Sequence, residues 1–219
     1  MNGKLVKRLI VFLLSSLAIS TCVVLVVTSL SHAAQTIVDE WNTVKAPPAP
    51  ELKTITIDPK VTALLILDIQ KQICTPERTR CQTSLPIIQG LLTRARAKGV
   101  PIIYSLGRGT AADIYPEVAP QAGEPLVTSS PDKFWGTDLE KILKEKGITT
   151  VIVVGTAAHG AVLYTASGAA LRGLKVIVPV DGMSADEAYT EQYTAWHLLN
   201  VPRVGAQVTL TRIDMIQYP

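Results

Sequence analysis

Residues 151–166 restrict the possible folds more than any other part of this 219-residue chain. The segment opens with four apolar β-forming residues and continues through Gly155 into a series of small residues. Such a run predicts a buried strand followed by a tight turn into a helix. A turn of this kind directs backbone N–H groups and the positive end of the helix toward a pocket. Ala161 is expected to be the first residue of the turn that faces this pocket. Many α/β hydrolytic enzymes carry Cys or Ser at the equivalent position, but alanine offers no nucleophile.

Predicted strands and helices alternate along the chain from residue 55 onward. Apolar runs predict strands over residues 63–67, 100–106, 151–154, 175–180 and 208–211. Helical spacing predicts helices over residues 84–98, 159–171 and 185–199, and a capping box of Thr137 and Glu140 predicts a further helix that ends at Gly147. Residues 107–131 are predicted to form an irregular loop. The alternation predicts an α/β fold, a doubly wound and mostly parallel sheet with helices on both faces in a Rossmann-like, three-layer arrangement.

The first residues of the chain have the pattern of a targeting segment. Three basic residues precede an uncharged apolar run over residues 9–30, and Ser31-His32-Ala33 provides the small residues of a signal-peptidase site. Residues 1–33 are therefore predicted to be a signal peptide, which implies a periplasmic or secreted protein. The alternative is an N-terminal membrane anchor, because residues 9–30 are long enough to span a bilayer. Residues 34–54 are predicted to be a Pro-rich extended arm or linker, and residues 55–219 a single domain.

The charge of the chain argues against nucleic acid as a partner. The formal net charge is +3, and residues 1–33 contribute three positive charges and no negative ones, so the remainder sums to 0. That remainder has no cluster of Lys and Arg interleaved with aromatic residues. Nucleic-acid-binding domains usually carry such a cluster.

After residue 33 the chain contains two cysteines, Cys74 and Cys81, in a polar segment. In an oxidising compartment their spacing favours a local disulfide, and two free thiols are the alternative. A metal site would need further ligands, and His159 and His197 are the only histidines in this part of the sequence. Neither a metal nor another cofactor is predicted.

Asp68 directly follows the first predicted strand of the sheet. Ligands of doubly wound sheets bind beyond the carboxyl ends of the strands, where Asp68 and the turn after Gly155 are both expected. A carboxyl group at the end of an apolar run is partly desolvated, which suits it to proton transfer. The alternative is a structural carboxylate that accepts hydrogen bonds from loop amides.

Four segments resemble the isochorismatase-like hydrolases, which include nicotinamidases and other cysteine amidohydrolases. They are Leu67-Asp68-Ile69-Gln70 at the end of the first strand, residues 95–101 (Ala-Arg-Ala-Lys-Gly-Val-Pro), residues 134–139 (Phe-Trp-Gly-Thr-Asp-Leu) and the turn over residues 155–166. They occur in the order found in that family. The resemblance covers residues 57–183 and implies an isochorismatase-like domain over residues 55–219.

The resemblance implies a catalytic set of Asp, Lys and Cys. The Asp corresponds to Asp68. The family's Lys stands several residues before the segment that begins at Phe134, where this chain has residues 128–129 instead. Lys133 either supplies that cation from a shortened loop or is a solvated loop lysine. The Cys position corresponds to Ala161, whereas the isochorismatases themselves carry Gly there and cleave a vinyl ether without a covalent intermediate.

The resemblance and the predicted turn together give a set of substrate-binding candidates. They are Gln70, Phe134, Ala157, Ala158, His159, Gly160 and Ala161. His159 either lines the pocket and orients substrate or is a structural residue at the start of a helix.

These observations predict an exported hydrolase that acts on a small molecule by non-covalent acid/base chemistry through Asp68. The alternative is a catalytically inactive protein of the same fold that binds a small molecule. The resemblance also implies a homo-oligomer, either a dimer or a tetramer.

Overall fold

The computed structural model describes residues 36–129 and 131–219, in two compact units that divide between Pro47 and Pro48. The predicted signal peptide or anchor over residues 1–33 lies outside the described residues. Within them, no helix is both long and apolar enough to cross a membrane.

The described part of the first unit contains one short helix, α1 (Ile37–Glu40). Asp39 Oδ2 accepts hydrogen bonds from both the backbone N–H and the hydroxyl of Thr36, each 2.9 Å long, so a capping box fixes the helix start. Residues 37–40 within the predicted arm are thus helical, and the Pro-rich arm or linker over residues 34–54 otherwise stays a prediction.

The second unit, residues 48–219, is built around a parallel sheet. Its strands are β1 (Ile55–Thr56), β2 (Thr62–Leu67), β3 (Ile102–Leu106), β4 (Leu126–Thr128), β5 (Thr150–Thr156), β6 (Lys175–Pro179), β7 (Met183–Ser184), β8 (Val208–Thr211) and β9 (Ile216–Gln217). The main sheet has the order β4-β3-β2-β5-β6-β8, and the short β7 pairs with the end of β5. All of these pairings are parallel, and β1 pairs with β9 in a separate two-stranded sheet. The α/β fold predicted from the sequence is confirmed.

Four helices cover the sheet, and their buried side chains form two separate cores. The helices are α2 (Thr79–Ala97), α3 (Leu139–Glu145), α4 (Leu163–Leu171) and α5 (Ala188–Asn200). Helix α2 packs with Leu64 and Ile66 of β2, whereas α3, α4 and α5 contribute to the core that contains Leu65 and Leu67. Neighbouring residues of β2 thus point to opposite faces and are all buried, which explains the continuous apolar sequence of a central parallel strand.

Helix α2 is longer than its sequence indicates. The sequence predicts residues 84–98, but the helix begins at Thr79 and contains Pro86 well beyond its first turn. Pro86 therefore lies in the helix interior, where a proline removes one backbone hydrogen bond. The buried Cys81 and Leu85 hold the additional turn against the core.

Two further elements differ from their predictions. The capping box of Thr137 and Glu140 does not form, because the Glu140 carboxylate binds Lys144 and Arg172 instead. The Thr137 hydroxyl still accepts the N–H of Leu139, 3.1 Å away. The loop over residues 107–131 is partly ordered, since it contains two short 3-10 turns and strand β4, which pairs with β3.

Candidate functional site

The carboxyl ends of three neighbouring strands bring the candidate site together. In the sheet, Leu67 of β2 pairs with Ser105 of β3 on one side and with Gly155 of β5 on the other. Gly155 has φ +129°, and a Cβ atom there would lie 2.1 Å from the Leu67 carbonyl oxygen. Only glycine permits this approach, which sets the start of the turn directly beside the residue that precedes Asp68.

Asp68 is held by contacts on both of its carboxylate oxygens. Oδ1 accepts a 2.7 Å hydrogen bond from the hydroxyl of Ser105, and Oδ2 lies 2.8 Å from the ammonium nitrogen of Lys133. The backbone N–H of Asp68 donates to the Ser105 carbonyl at 3.2 Å. Asp68 also has φ +56°, a left-handed conformation that is uncommon outside glycine. The paired contacts with Ser105 hold the residue in that conformation.

Lys133 is almost completely buried, with 1% of its surface exposed. Its ammonium group donates to the Ser129 carbonyl at 2.8 Å as well as binding Asp68, and its backbone N–H donates to the Thr165 hydroxyl of α4 at 3.3 Å. Lys133 therefore lies inside the site and not in solvent, and the structure brings it together with Asp68. The buried carboxylate and the buried ammonium compensate each other's charge.

The turn after β5 leads into α4 through residues 158–162, a π-helical turn with a kink at Gly160. The peptide bond between Thr156 and Ala157 is cis. The N–H groups of Gly160 and Val162 both donate to the Ala157 carbonyl, at 3.0 and 3.3 Å. Ala158 and Ala161 are buried, whereas His159 is exposed to solvent. The predicted helix over residues 159–171 thus consists of this turn and α4.

The side chain of Gln70 is occupied by backbone groups. Its Oε1 accepts the N–H of Gly107 at 3.0 Å, and its Nε2 donates to the Arg108 carbonyl. The residue is completely buried. Gln70 therefore fastens the loop after β3, and its predicted contact with substrate stays a prediction.

Phe134 follows Lys133, but its ring packs against the carboxyl end of α4. The Arg172 guanidinium lies 4.4 Å from the ring centroid, and a Cβ atom on Gly168 would be 3.2 Å from the ring. Both neighbours lie toward the carboxyl end of α4, away from the turn at its start. The ring thus stabilises the packing of the loop on α4, and a role in binding substrate stays a prediction.

Cys74 and Cys81 form a disulfide, with an S–S distance of 2.02 Å and a Cα–Cα distance of 5.6 Å. It links Cys74, in the segment between Asp68 and helix α2, to Cys81 in the first turn of that helix. The Cys74 carbonyl also accepts hydrogen bonds from Gln82 Nε2 at 2.6 Å and from the Tyr115 hydroxyl at 2.8 Å. The disulfide and these bonds fix the segment that carries Gln70.

A second polar cluster anchors the long loop between β3 and β4. Arg96 of α2 binds both carboxylate oxygens of Glu124, at 2.8 and 2.7 Å, and also donates to the Tyr104 hydroxyl at 2.9 Å. Burial raises the pKa of Tyr104, and the nearby Glu124 carboxylate raises it further. For Glu124, burial alone would raise the pKa, but the hydrogen bonds from Arg96 and from the Gln121 N–H outweigh it, so the pKa is lowered.

The sequence pattern does not single out Ser105 as a site residue, because Ser105 lies within a run that predicts only a strand. The available signal was its polarity, since Ser105 interrupts the apolar strand near its carboxyl end, as Asp68 ends the apolar run of β2. Among residues 36–129 and 131–219, no group of three or more His, Cys, Asp or Glu side chains is arranged to hold a metal ion.

Fold and site together define a class of three-layer α/β proteins with a polar site at the carboxyl edge of a parallel sheet. Residues 62–212 match the family model described as the isochorismatase domain. The chain belongs to the isochorismatase family of hydrolases.

The chain is similar to N-carbamoylsarcosine amidase of Arthrobacter sp., with 31% identity over 127 residues that make up 45% of this chain and 48% of the amidase. It therefore spans about half the length of that relative. It is 27% identical over 183 residues to the uncharacterized isochorismatase family protein YwoC of Bacillus subtilis, covering 72% of this chain and 95% of that one.

Among solved structures, the chain is similar to an isochorismatase family protein from Desulfovibrio vulgaris. The TM-score is 0.65 at 21% identity, covering 71% of this chain and 95% of the other. At this identity the likeness shows the fold alone.

Proposed function

We propose that this protein is an exported hydrolase that cleaves a small molecule by non-covalent acid/base chemistry. Asp68 is the proton-transfer group, and Lys133 is the cation that stabilises developing negative charge. The observation that carries the proposal is the 2.8 Å contact between Lys133 Nζ and Asp68 Oδ2 within a buried cluster at the carboxyl edge of the sheet.

The contacts of Asp68 leave it able to accept a proton. Each carboxylate oxygen has two lone pairs, and Ser105 and Lys133 occupy one on each oxygen. In the proposed reaction, the Asp68 carboxylate takes a proton from a water molecule as the water oxygen attacks the substrate. The same carboxyl group then returns the proton to the leaving group, so the enzyme is regenerated without a covalent intermediate.

Lys133 retains hydrogen-bonding capacity for substrate. An ammonium group has three N–H donors, and Asp68 and Ser129 accept two of them. The third is available to an oxygen atom of the substrate on which negative charge develops. Because the site is buried, such an interaction is stronger than it would be in water.

Ala161 is proposed to occupy the position at which the family's cysteine hydrolases carry their thiol. It is buried in the turn after β5, in the segment that resembles theirs. The sequence has three cysteines, of which Cys74 and Cys81 are joined in the disulfide and Cys22 lies outside the described residues. Water is therefore proposed as the nucleophile.

The replacement at Ala161 also favours a second candidate function. A protein that has lost the nucleophile can retain the Asp68–Lys133 pair and bind a small molecule without converting it. In that case the ion pair holds the end of β2 against the loop that carries Lys133.

The experiment is a turnover screen of the chain from Thr36 to Pro219 against small amides, esters and ethers. Amides are included because one similar protein is an N-carbamoylsarcosine amidase. Asp68→Asn is expected to lower kcat/KM at least about 100-fold, the usual effect of removing a proton-transfer group. Lys133→Met is expected to lower it by about as much, the usual effect of removing a donor that stabilises developing negative charge. The exposed residues Asp58 and Lys175 provide matched controls, as Asp58→Asn and Lys175→Met.

The outcomes separate the two candidates. Turnover that survives Asp68→Asn undiminished contradicts the assigned proton-transfer group. A compound that raises the thermal unfolding midpoint but is not converted supports the binding protein.

The vacant nucleophile position is tested separately with Ala161→Cys. If the remaining apparatus matches that of the cysteine hydrolases, this variant gains amidase activity that a thiol-alkylating reagent abolishes. Ala158→Cys places a thiol in the same buried turn and is expected to gain none. Equal activity in both variants contradicts the assignment of Ala161.

Export is supported by the disulfide within the described residues, which suits an oxidising compartment, and by the targeting pattern of residues 1–33. Cell fractionation with intact-mass measurement tests it. Export with cleavage predicts a soluble periplasmic or secreted chain that lacks residues 1–33. A full-length chain in the membrane fraction would instead identify residues 9–30 as an anchor, and a full-length chain in the cytosol would contradict both.

A further inference from the structure

The loop after β3 begins with a glycine that lies beside the proposed proton-transfer group. Gly107 stands two residues after Ser105, and its backbone N–H donates to Gln70 Oε1 at 3.0 Å. It is exposed to solvent, whereas Ser105 and Asp68 are buried. A Cβ atom at position 107 would lie 3.4 Å from Asp68 Oδ2 and 3.7 Å from its Cγ. The buried carboxylate therefore lies directly next to solvent-exposed backbone at this point.

The backbone gives no reason for glycine at position 107. Its φ lies outside the left-handed region that favours glycine. The three atoms nearest to the point where a Cβ atom would lie belong to the side chains of Ile73 and Asp68. At Gly155, by contrast, the nearest atoms belong to the backbone of Leu67. The consequence of glycine at position 107 is thus open space next to the Asp68 carboxylate.

Ile73 forms an apolar wall of this space. Its Cδ1 atom would lie 3.1 Å from a Cβ atom at position 107. Its backbone is fixed on both sides, because its N–H donates to the Gln70 carbonyl at 2.9 Å and its carbonyl accepts a 2.5 Å hydrogen bond from Arg78. We call this space the Gly107 slot, which Gly107, Ile73 and Asp68 border. An atom that enters the slot contacts a methyl group and a carboxylate at once, so the slot admits only a small group.

The two carboxylate oxygens of Asp68 differ in their access to the Gly107 slot. Oδ1 accepts the hydroxyl of the buried Ser105 at 2.7 Å and lies farther from the slot. Oδ2 borders the slot and lies 2.8 Å from the ammonium nitrogen of Lys133. A group that enters the slot therefore meets Oδ2 first. It also comes close to the cation that is proposed to stabilise developing negative charge.

We propose that Gly107 is a specificity-determining residue, because substrate and water reach Asp68 Oδ2 through the Gly107 slot. Oδ2 is then the oxygen that takes the proton from water and returns it to the leaving group. The part of the substrate that enters the slot is small and unbranched, with a polar atom toward Lys133 and an apolar edge on Ile73. Unbranched amides, esters and ethers have this form. The assignment rests on the proposed role of Asp68.

Crystal structures of the chain from Thr36 to Pro219 and of its Gly107→Ala variant test the slot without a known substrate. In the wild type, a water molecule in the slot is expected within about 2.6 to 3.2 Å of Asp68 Oδ2, the distance of a proton-transfer contact. In Gly107→Ala, the methyl group is expected to displace this water. The proposal is overturned if no solvent reaches Oδ2 there in the wild type, or if the water stays in the variant.

Kinetics test the specificity on each compound that the wild type converts in the turnover screen. Gly107→Ala is expected to lower kcat/KM about tenfold and Gly107→Val at least about 100-fold, the usual range for an extra methylene in a pocket. Gly107→Val/Ile73→Ala also removes the apolar wall and is expected to regain at least about tenfold of that loss. Gly90→Ala is the matched control, since a Cβ atom there would approach only Arg94 Nη1, at 4.0 Å. It is expected to match the wild type.

Circular dichroism establishes that each variant is folded, and failure of both Gly107→Ala and Gly107→Val to fold would contradict open space at this position. Turnover that survives Gly107→Val undiminished overturns the slot and leaves the role of Asp68 intact, because Asp68→Asn tests that role separately. If the wild type binds a compound without converting it, the proposed hydrolase fails. The slot is then supported if Gly107→Val abolishes the thermal shift of that compound, and overturned if the shift is retained.

Discussion

Lys133 and Asp68 form a buried ion pair, with 1% and 10% of their side-chain surfaces exposed. Lys133→Met removes the cation and leaves a buried carboxylate without compensation. The free energy of unfolding is expected to fall by about 3 to 5 kcal/mol, the usual cost of breaking such a pair. Urea unfolding at neutral pH measures this change.

The exposed pair of Lys144 and Glu140 provides the control for the buried pair. Lys144→Met is expected to change the free energy of unfolding by less than about 1 kcal/mol. The double variant Asp68→Asn/Lys133→Met removes both charges and is expected to be more stable than Lys133→Met alone. If Lys133→Met were no more destabilising than Lys144→Met, the charge compensation inferred for Asp68 would be wrong.

Gly155 is expected to tolerate no side chain. The methyl group of Gly155→Ala would lie 2.1 Å from the Leu67 carbonyl oxygen, so β2 and β5 would have to separate. The free energy of unfolding of Gly155→Ala is expected to fall by more than about 4 kcal/mol, or the variant is expected to yield no soluble protein. Gly123→Ala is the matched control, because Gly123 also has a positive φ but has open space around it. Its expected cost is about 1 to 2 kcal/mol, from backbone strain alone. Equal effects of the two variants on urea unfolding would contradict the close approach.

The disulfide between Cys74 and Cys81 is expected to contribute about 2 to 3 kcal/mol to stability, as estimated for a short closed loop. Reduction with dithiothreitol should therefore lower the urea midpoint of the wild type. The variant Cys74→Ala/Cys81→Ala should show a lowered midpoint that dithiothreitol does not change. A wild-type midpoint that is the same with and without reductant would show that the closed loop does not stabilise the domain.

Glu124 is expected to contribute to the loss of stability in acid. Its folded-state pKa lies below the ordinary value of 4.5, because the hydrogen bonds from Arg96 outweigh burial. A lowered folded-state pKa means that the stabilisation is fully present above pH 4.5 and is lost as the pH falls through the folded-state value. Unfolding free energies measured from pH 7 to pH 3 should therefore decline less steeply below pH 4.5 for Glu124→Gln than for the wild type.

Glu117→Gln is the control for this pH dependence, since Glu117 is exposed. It is expected to follow the wild-type curve. Parallel curves for the wild type and Glu124→Gln would contradict the stabilisation of the ionised carboxylate by Arg96.

The sequence predicts the sheet well because the central strands are apolar on both faces. The core strand β2 begins at Thr62, one residue before its predicted start, and ends at Leu67 as predicted. Strands β1, β4, β7 and β9 have two or three residues each, which is too short for a periodic pattern, so the sequence does not predict them. Their positions depend on tertiary pairing.

The candidate site was predictable only in part. Asp68 ends an apolar run, which marks it in the sequence. The sequence left two possibilities for Lys133, because its burial depends on the loop returning to α4, a contact with Thr165 that no local pattern specifies. Similarly, the hydrogen bonds of Gln70 to residues 107–108 and the direction of the Phe134 ring arise from long-range packing.

The parallel pairing of β1 with β9 brings the first and last strands of the second unit side by side, with Ile55 opposite Ile216. A short peptide can therefore join these ends without crossing the molecule. The unit is therefore suited to circular permutation, with new termini at the exposed Gly123. This position leaves the chain intact at the carboxyl edge of the sheet, where the candidate site lies. The same adjacency would let the unit be inserted as a whole into a surface loop of another protein.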